Sequence, residues 1–364
     1  MTAGLVEVAT ALLVVAGTAV VLMLALVVCG FVYQWMGGWV DSRRLRKQGQ
    51  IVDAGEGRQM YFVERRPARR DGSPTVVFEA GFGATSLNWM HIQKALGDQA
   101  RTVAYDRCGL GWSSKATSER TPRNIAAELR AMLLAARIEP PYVLVGHSFG
   151  GLVMQRFALD YPEDVAGVVL LDPMRTHEWP PVDPTQHGRV ERAMRLTRVG
   201  QKFAHVGMAR LAARSHLCRS RRFSGFLLRL AGERGAYLAF RLDTEIGKMP
   251  EQVRPSIAAQ WSSPRFYRGL HAYLSAVPAT VAEMHDAEPL GDVPVVVVTP
   301  GKAEPVEDLR KFGPQSREVI AVGSEHWVHL DDPDLVVDVI LEMVEGARGQ
   351  RRPSMGVGER IGAD

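Results

Sequence analysis

The chain has 364 residues, of which 46% are hydrophobic and 23% charged, and its formal charge is +4. That length holds one large α/β domain with an insertion, or two domains, and the composition is that of a globular protein with an apolar segment added. Three widely spaced cysteines, Cys29, Cys108 and Cys218, form no CxxC or other metal-ligand pattern. They argue against a disulfide framework and fit a reducing compartment.

The first element is apolar. Val8 to Val40 carries no charged residue, and its most apolar part, Val8 to Tyr33, exceeds the roughly 20 residues a helix needs to cross a bilayer. Tyr33, Trp35 and Trp39 follow where an aromatic belt sits. Met1 to Glu7 has no Lys or Arg, so the basic start of a cleaved signal peptide is missing. Residues 1–40 are therefore expected to be a transmembrane anchor. Arg43, Arg44, Arg46 and Lys47 lie in a juxtamembrane linker over 41–49. By the positive-inside rule they place the C-terminal side in the cytoplasm.

Strands are expected at Gln50–Asp53 and Gln59–Val63, joined by the turn at Gly55-Glu56-Gly57, then at Thr75–Phe78 and Arg101–Tyr105. A helix is expected from Leu87 to Leu96, and another opens at Thr121-Pro122, a cap residue followed by a first-turn proline. Tyr142-Val143-Leu144-Val145 is an apolar β-branched run, and Gly151 to Asp160 has helical patterning. Between them stands Gly146-His147-Ser148-Phe149-Gly150, a G-x-S-x-G pentapeptide in the strand–turn–helix context of a nucleophile elbow.

The alternation of strands and helices predicts a mostly parallel, doubly wound sheet. After Val165–Leu171 it stops. Residues 174–290 read as helical segments without strand patterns, until Val295–Val298 and Glu318–Val322 resume the sheet and Asp332-Pro333 opens a closing helix. The layout is a first core part over 50–173, a helical cap over 174–290, a second core part over 291–345 and a disordered tail over 346–364. An insertion at that point is expected above the C-terminal ends of the strands, where open α/β sheets bind ligands.

Residues 50–345 resemble the α/β-hydrolase fold family. The resemblance rests on the elbow, on Glu79-Ala80-Gly81-Phe82-Gly83, and on Tyr105-Asp106-Arg107-Cys108-Gly109-Leu110-Gly111-Trp112-Ser113, which is similar to the family's Y-D-R-x-G-x-G-x-S loop. A serine hydroxyl needs a base, and in this fold the acid and then the histidine follow the serine. The resemblance selects Ser148 as nucleophile and His326 as base, in the loop after the last strand. His329, three residues on, is expected to pack locally; an H-x-x-H metal pair has no third ligand suggested nearby.

Two carboxylates compete for the role of triad acid. Glu304 stands in the G-x-x-D-like turn Gly301-Lys302-Ala303-Glu304, and Asp172 stands at the tip of the preceding core strand, with the balance toward Asp172. The oxyanion hole is expected from the backbone N–H groups of Phe149 and Phe82. Relatives usually begin that second turn with His-Gly, whereas here it is Glu79-Ala80-Gly81.

A serine at position 148 implies acyl chemistry, because haloalkane dehalogenases and most epoxide hydrolases of this architecture carry Asp there. The expected activity is hydrolysis of carboxylic, lipid-like esters without a cofactor. The alternatives are acyl transfer or cofactor-free perhydrolysis by the same triad, or a catalytically silent membrane-tethered binding module. From Arg189 to Arg241 thirteen basic residues face two acids, Glu191 and Glu233, with apolar residues interleaved. That pattern points to anionic lipid as a partner of the cap. No nucleic-acid motif accompanies the charge.

Overall fold

The computed structural model describes residues 2–67, 72–217 and 247–350. The chain divides into two compact units, Met1–Lys47 with Glu191–His271, and Gln48–Val190 with Ala272–Asp364.

The second unit is built on an eight-stranded sheet in the order β1-β2-β4-β3-β5-β6-β7-β8. The strands are β1 (Gln50–Asp53), β2 (Gln59–Arg65), β3 (Thr75–Glu79), β4 (Thr102–Tyr105), β5 (Tyr142–His147), β6 (Val165–Leu171), β7 (Val295–Pro300) and β8 (Ser316–Ala321). β2 runs antiparallel to both neighbours, and every pair from β4 to β8 is parallel. The central strands β3, β5 and β7 are buried along their whole length. Uninterrupted apolar runs are what a parallel sheet covered on both faces requires.

The period of two sorts each strand between the faces. Val76, Phe78, Val143 and Val145 join one core with Trp89 and Ile340, while Val77, Leu144, Val168 and Val297 join the other with Leu129 and Phe157. The first face is covered by α2 (Met90–Leu96) and by the closing helix α11 (Pro333–Gln350); the second by α3 (Pro122–Ala135) and α4 (Phe149–Asp160). Thr121 caps α3, its side chain accepting from the Asn124 N–H.

Two boundaries differ from expectation. α11 continues to Gln350, into residues expected as tail, because Ala347 is still buried and Arg348 donates to Ser73 Oγ and to the Gln99 carbonyl. Residues 351–364 lie outside the described residues. The helices after β6 also begin and end nearer the core than a cap over 174–290 implies, since 174–190 and 272–290 group with the sheet. The Met174 N–H bonds to the Ser148 carbonyl and the Tyr273 hydroxyl to the Cys108 carbonyl, so both ends are tied down.

In the first unit, α1 runs from Thr2 to Leu45, continuous through residues 41–45, which were expected as linker. Arg43 and Arg44 in its last turn suit the negative end of the helix dipole. The unit also contains most of α5 (His187–His205), α6 (Met208–Leu217), α7 (Arg254–Trp261) and much of α8 (Pro264–Ser275); the short helices α9 (Val277–Met284) and α10 (Val328–Asp331) belong with the sheet. The basic triplet Arg219, Arg221 and Arg222 lies outside the described residues.

Arg210 on α6 is buried and holds α1: its Nε donates to Gln34 Oε1 at 3.0 Å and its Nη1 pairs with Asp41. Arg210→Ala leaves the mostly buried Asp41 carboxylate without its cation. The expected loss is about 3 kcal/mol, the lower end for breaking a buried pair, read as a reduced denaturant midpoint of the detergent-solubilised protein.

Candidate active site

β5 ends at His147, and α4 begins at Phe149, so the whole reversal falls on Ser148. Its backbone sits at φ 54°, ψ −121°, a left-handed conformation that costs a non-glycine residue about 1–3 kcal/mol. Three hydrogen bonds hold it there. The Ser148 N–H donates to the Leu171 carbonyl at 3.0 Å, and the Ser148 carbonyl accepts from the N–H groups of Gly151 (2.9 Å) and Met174 (3.1 Å). The flanking glycines are demanded by close approach. A Cβ on Gly146 would lie 2.5 Å from the Gly150 carbonyl oxygen, and one on Gly150 2.5 Å from the Glu79 carbonyl oxygen.

His326 stands in the loop after β8, and Asp172 directly after β6 in a left-handed conformation (φ 41°). His326 Nδ1 donates to Asp172 Oδ2 at 2.7 Å. That bond fixes the tautomer with the Nε2 lone pair free to act as a base. The structure thus brings Asp172, not Glu304, to His326. Glu304 is exposed on the loop after β7, its carbonyl accepting from Arg175. Sheet order admits either carboxylate, since β6 and β7 end side by side next to β8; the difference is that Asp172 directly follows its strand, whereas Glu304 stands past the end of β7 in an exposed loop.

The turn after β3 abuts the elbow. A Cβ on Gly81 would sit 3.4 Å from Ser148 Cβ, and the Phe82 ring lies 4.5 Å from the Phe149 ring, centre to centre. Trp179 lies 6.2 Å from Phe82, giving the site an aromatic wall.

Sequence reasoning flagged Glu79 as a departure but missed what answers it. Glu79 is buried against Arg107, with Nε to Oε1 at 3.5 Å, and accepts from the Tyr105 hydroxyl. Arg107 in turn donates to the Gly81 carbonyl and lies over the rings of Phe149 and Tyr273. The guanidinium from the Y-D-R loop therefore braces the turn that carries Phe82. The available signal was the pairing of one charge at the end of an uncharged strand with one in the Y-D-R loop.

A group of imidazoles lies behind the loop that carries His326. His147 Nε2 donates to the His326 carbonyl at 2.7 Å, and its ring centre is 4.7 Å from those of His326 and His329. His329 stacks on Trp89 at 4.6 Å, and its carbonyl accepts from His91 Nε2. Among the described residues no three His, Cys, Asp or Glu side chains are grouped to hold a metal ion.

Burial pushes His147 down to about 3, and pushes His91 and His329 below the usual imidazole range. A histidine held neutral in the fold but free to protonate when unfolded stabilises the protein above pH ~6.5. That stability is expected to fall as pH drops below there, down to about 3 for His147, by up to about a tenfold change in the folding constant per pH unit for each such group. Denaturant unfolding across that range checks it. A flat profile would mean these rings take up protons without unfolding.

Strained serine, imidazole, carboxylate and a braced glycine turn lie together at the C-terminal ends of a parallel sheet on an open α/β fold. The alpha/beta hydrolase fold family model matches residues 74–333, and the chain belongs to that family. YqjL of Bacillus subtilis, an uncharacterized protein, is 38% identical over 99 residues, which is 27% of this chain and 39% of that protein. An AB hydrolase superfamily protein of Gibberella zeae is 32% identical over 120 residues, 32% of this chain and 37% of that one. The match therefore spans well under half the length of either relative. Among solved structures, the Cif epoxide hydrolase from Acinetobacter nosocomialis superposes with a TM-score of 0.63 at 14% identity, covering 86% of this chain and 96% of that one. A thermophilic esterase from Thermogutta terrifontis gives 0.54 at 19%, covering 82% and 99%. At such identities the likeness is one of fold.

Proposed function

We propose that the protein is a membrane-anchored serine hydrolase that cleaves carboxylic esters through an acyl-enzyme on Ser148. The observation that carries this reading is the His326–Asp172 hydrogen bond beside a strained serine elbow. His326 Nε2 removes the Ser148 proton as Oγ attacks the ester carbonyl, and Asp172 stabilises the imidazolium without taking the proton itself. The oxyanion forms toward the N–H groups of Phe149 and Phe82; one such donor is worth about 10²–10³ in rate. His326 then protonates the leaving alkoxide, and water reverses the sequence to release the acid. The partly exposed Phe82 and Trp179 rings favour an apolar, lipid-like acyl group. No step calls for a cofactor.

The N-terminal helix is long and apolar enough to cross a membrane, with its apolar window wholly exposed. We take it as a single-pass anchor with the basic flank, and hence the hydrolase, on the cytoplasmic side.

A fluorophosphonate probe tests the chemistry. Native protein is expected to label stoichiometrically, and Ser148→Ala not at all. A native protein that stays unlabelled, while equally folded, overturns the reading and favours a silent binding module on the same fold.

A further inference from the structure

α1 changes character at residue 30. Residues 7–29 are exposed all round, and at about 1.5 Å per residue they span roughly 34 Å, the thickness of a bilayer core. From Gly30 on, one face is covered. Gly30, Gln34, Gly37 and Asp41, at helical spacing, meet the corner between α5 and α6 and the first turn of α6. A Cβ on Gly30 would lie 2.2 Å from the Val206 carbonyl oxygen, and one on Gly207 2.8 Å from the Gly30 carbonyl oxygen. The contact is backbone against backbone, so the spacing is fixed. Contacts then climb α1 in order, Val206 and Gly207 at Gly30, Arg210 at Gln34, Gly37 and Asp41. The α5–α6 corner is thus the part of this packing nearest the bare segment of α1.

That corner is apolar and, among the described residues, uncovered. Phe203 is 47% exposed and Met208 45%, continued by Leu196 and Val199 on α5 and Leu211 on α6. Arg192, Arg195, Arg198, Lys202 and Arg214 are exposed on the same two helices. An exposed apolar stripe with basic residues beside it suits the boundary between headgroups and acyl chains.

We infer that the α5–α6 corner is embedded in the membrane leaflet from which α1 emerges, with Phe203 and Met208 entering the acyl region and the basic residues meeting anionic headgroups. The inference rests on reading α1 as a span. The clasp at Gly30 and Arg210 sets the corner at the depth where that span ends, and continuity with the bare helix supplies the occupant, lipid. The unit is then held at the surface by two elements rather than one, which fixes its rotation about α1 as well as its distance from the bilayer.

The test uses the full chain with Cys29 and Cys218 replaced by Ser, and one added cysteine, L22C, F203C or M208C, carrying an environment-sensitive fluorophore. The proteins are reconstituted in phosphatidylcholine–phosphatidylglycerol vesicles with and without doxyl-labelled lipid. Loss of fluorescence to shallow doxyl at Phe203 and Met208, and to deep doxyl at Leu22, is expected. Quenching at Leu22 alone overturns the inference while leaving the anchor intact. No quenching at Leu22 removes the anchor reading, and this inference with it.

Discussion

Ser148→Ala and His326→Ala are each expected to lower kcat on a p-nitrophenyl ester by about 10⁶, and the double variant no further than either alone. The two side chains act on one proton. Without His326 the hydroxyl keeps it, and without Ser148 the imidazole has nothing to take it from. What survives in every variant is binding and the oxyanion donors, together worth about 10³–10⁴ over water. Losses that add, so that the double variant is far slower than both, would mean the residues work in separate steps and would exclude the acyl-enzyme scheme. KM is expected to move little, because both side chains act on the proton in the transition state rather than in binding the ground state. Neither substitution is expected to disturb the fold much, since Ser148 is held through its backbone and His326 is half exposed.

How much of this was legible beforehand depended on whether the cause was local. The elbow was legible because strand, glycines, serine and helix lie within a few consecutive residues, and the steric reason for both glycines acts across that same short stretch. The position of His326 was legible by resemblance, from its loop after the last strand. The partner of His326 was legible only as a choice between two carboxylates, with the balance toward Asp172: that residue is 154 positions away, and the sheet order that makes β6, β7 and β8 neighbours brings it near. Glu79 was visible as an oddity, yet its meaning needed Arg107, buried beside it by the β3–β4 pairing. Helix ends were misjudged for a related reason. Asp41 read as the end of an apolar run, but a helix continues through a charged residue whose side chain has a partner, here Arg210. Gly30 and Gly37 gave no sign of what they admit, since a glycine in an apolar helix signals close approach only once the neighbour is known.

Asp172→Asn should separate the two carboxylates that sequence left in competition. The amide keeps the volume and still reaches His326 Nδ1, but it can present its NH₂ there, turning the imidazole so that Nε2 carries the proton and cannot act as base. The expected fall in kcat is about 10⁴ at neutral pH. Rate should recover partly at high pH, where hydroxide supplies the missing base. Glu304→Gln should leave kcat within a few-fold of native, because Glu304 is exposed and its link to the neighbouring loop runs through its backbone carbonyl, which the substitution keeps. The reverse pattern, loss with Glu304→Gln and retention with Asp172→Asn, would mean that the loop after β7 moves to replace Asp172 during turnover. Equal partial losses would mean the two share the histidine in turn. Measured side by side, the two variants decide whether the 2.7 Å contact seen at the tip of β6 is the one that holds the imidazole when substrate is bound.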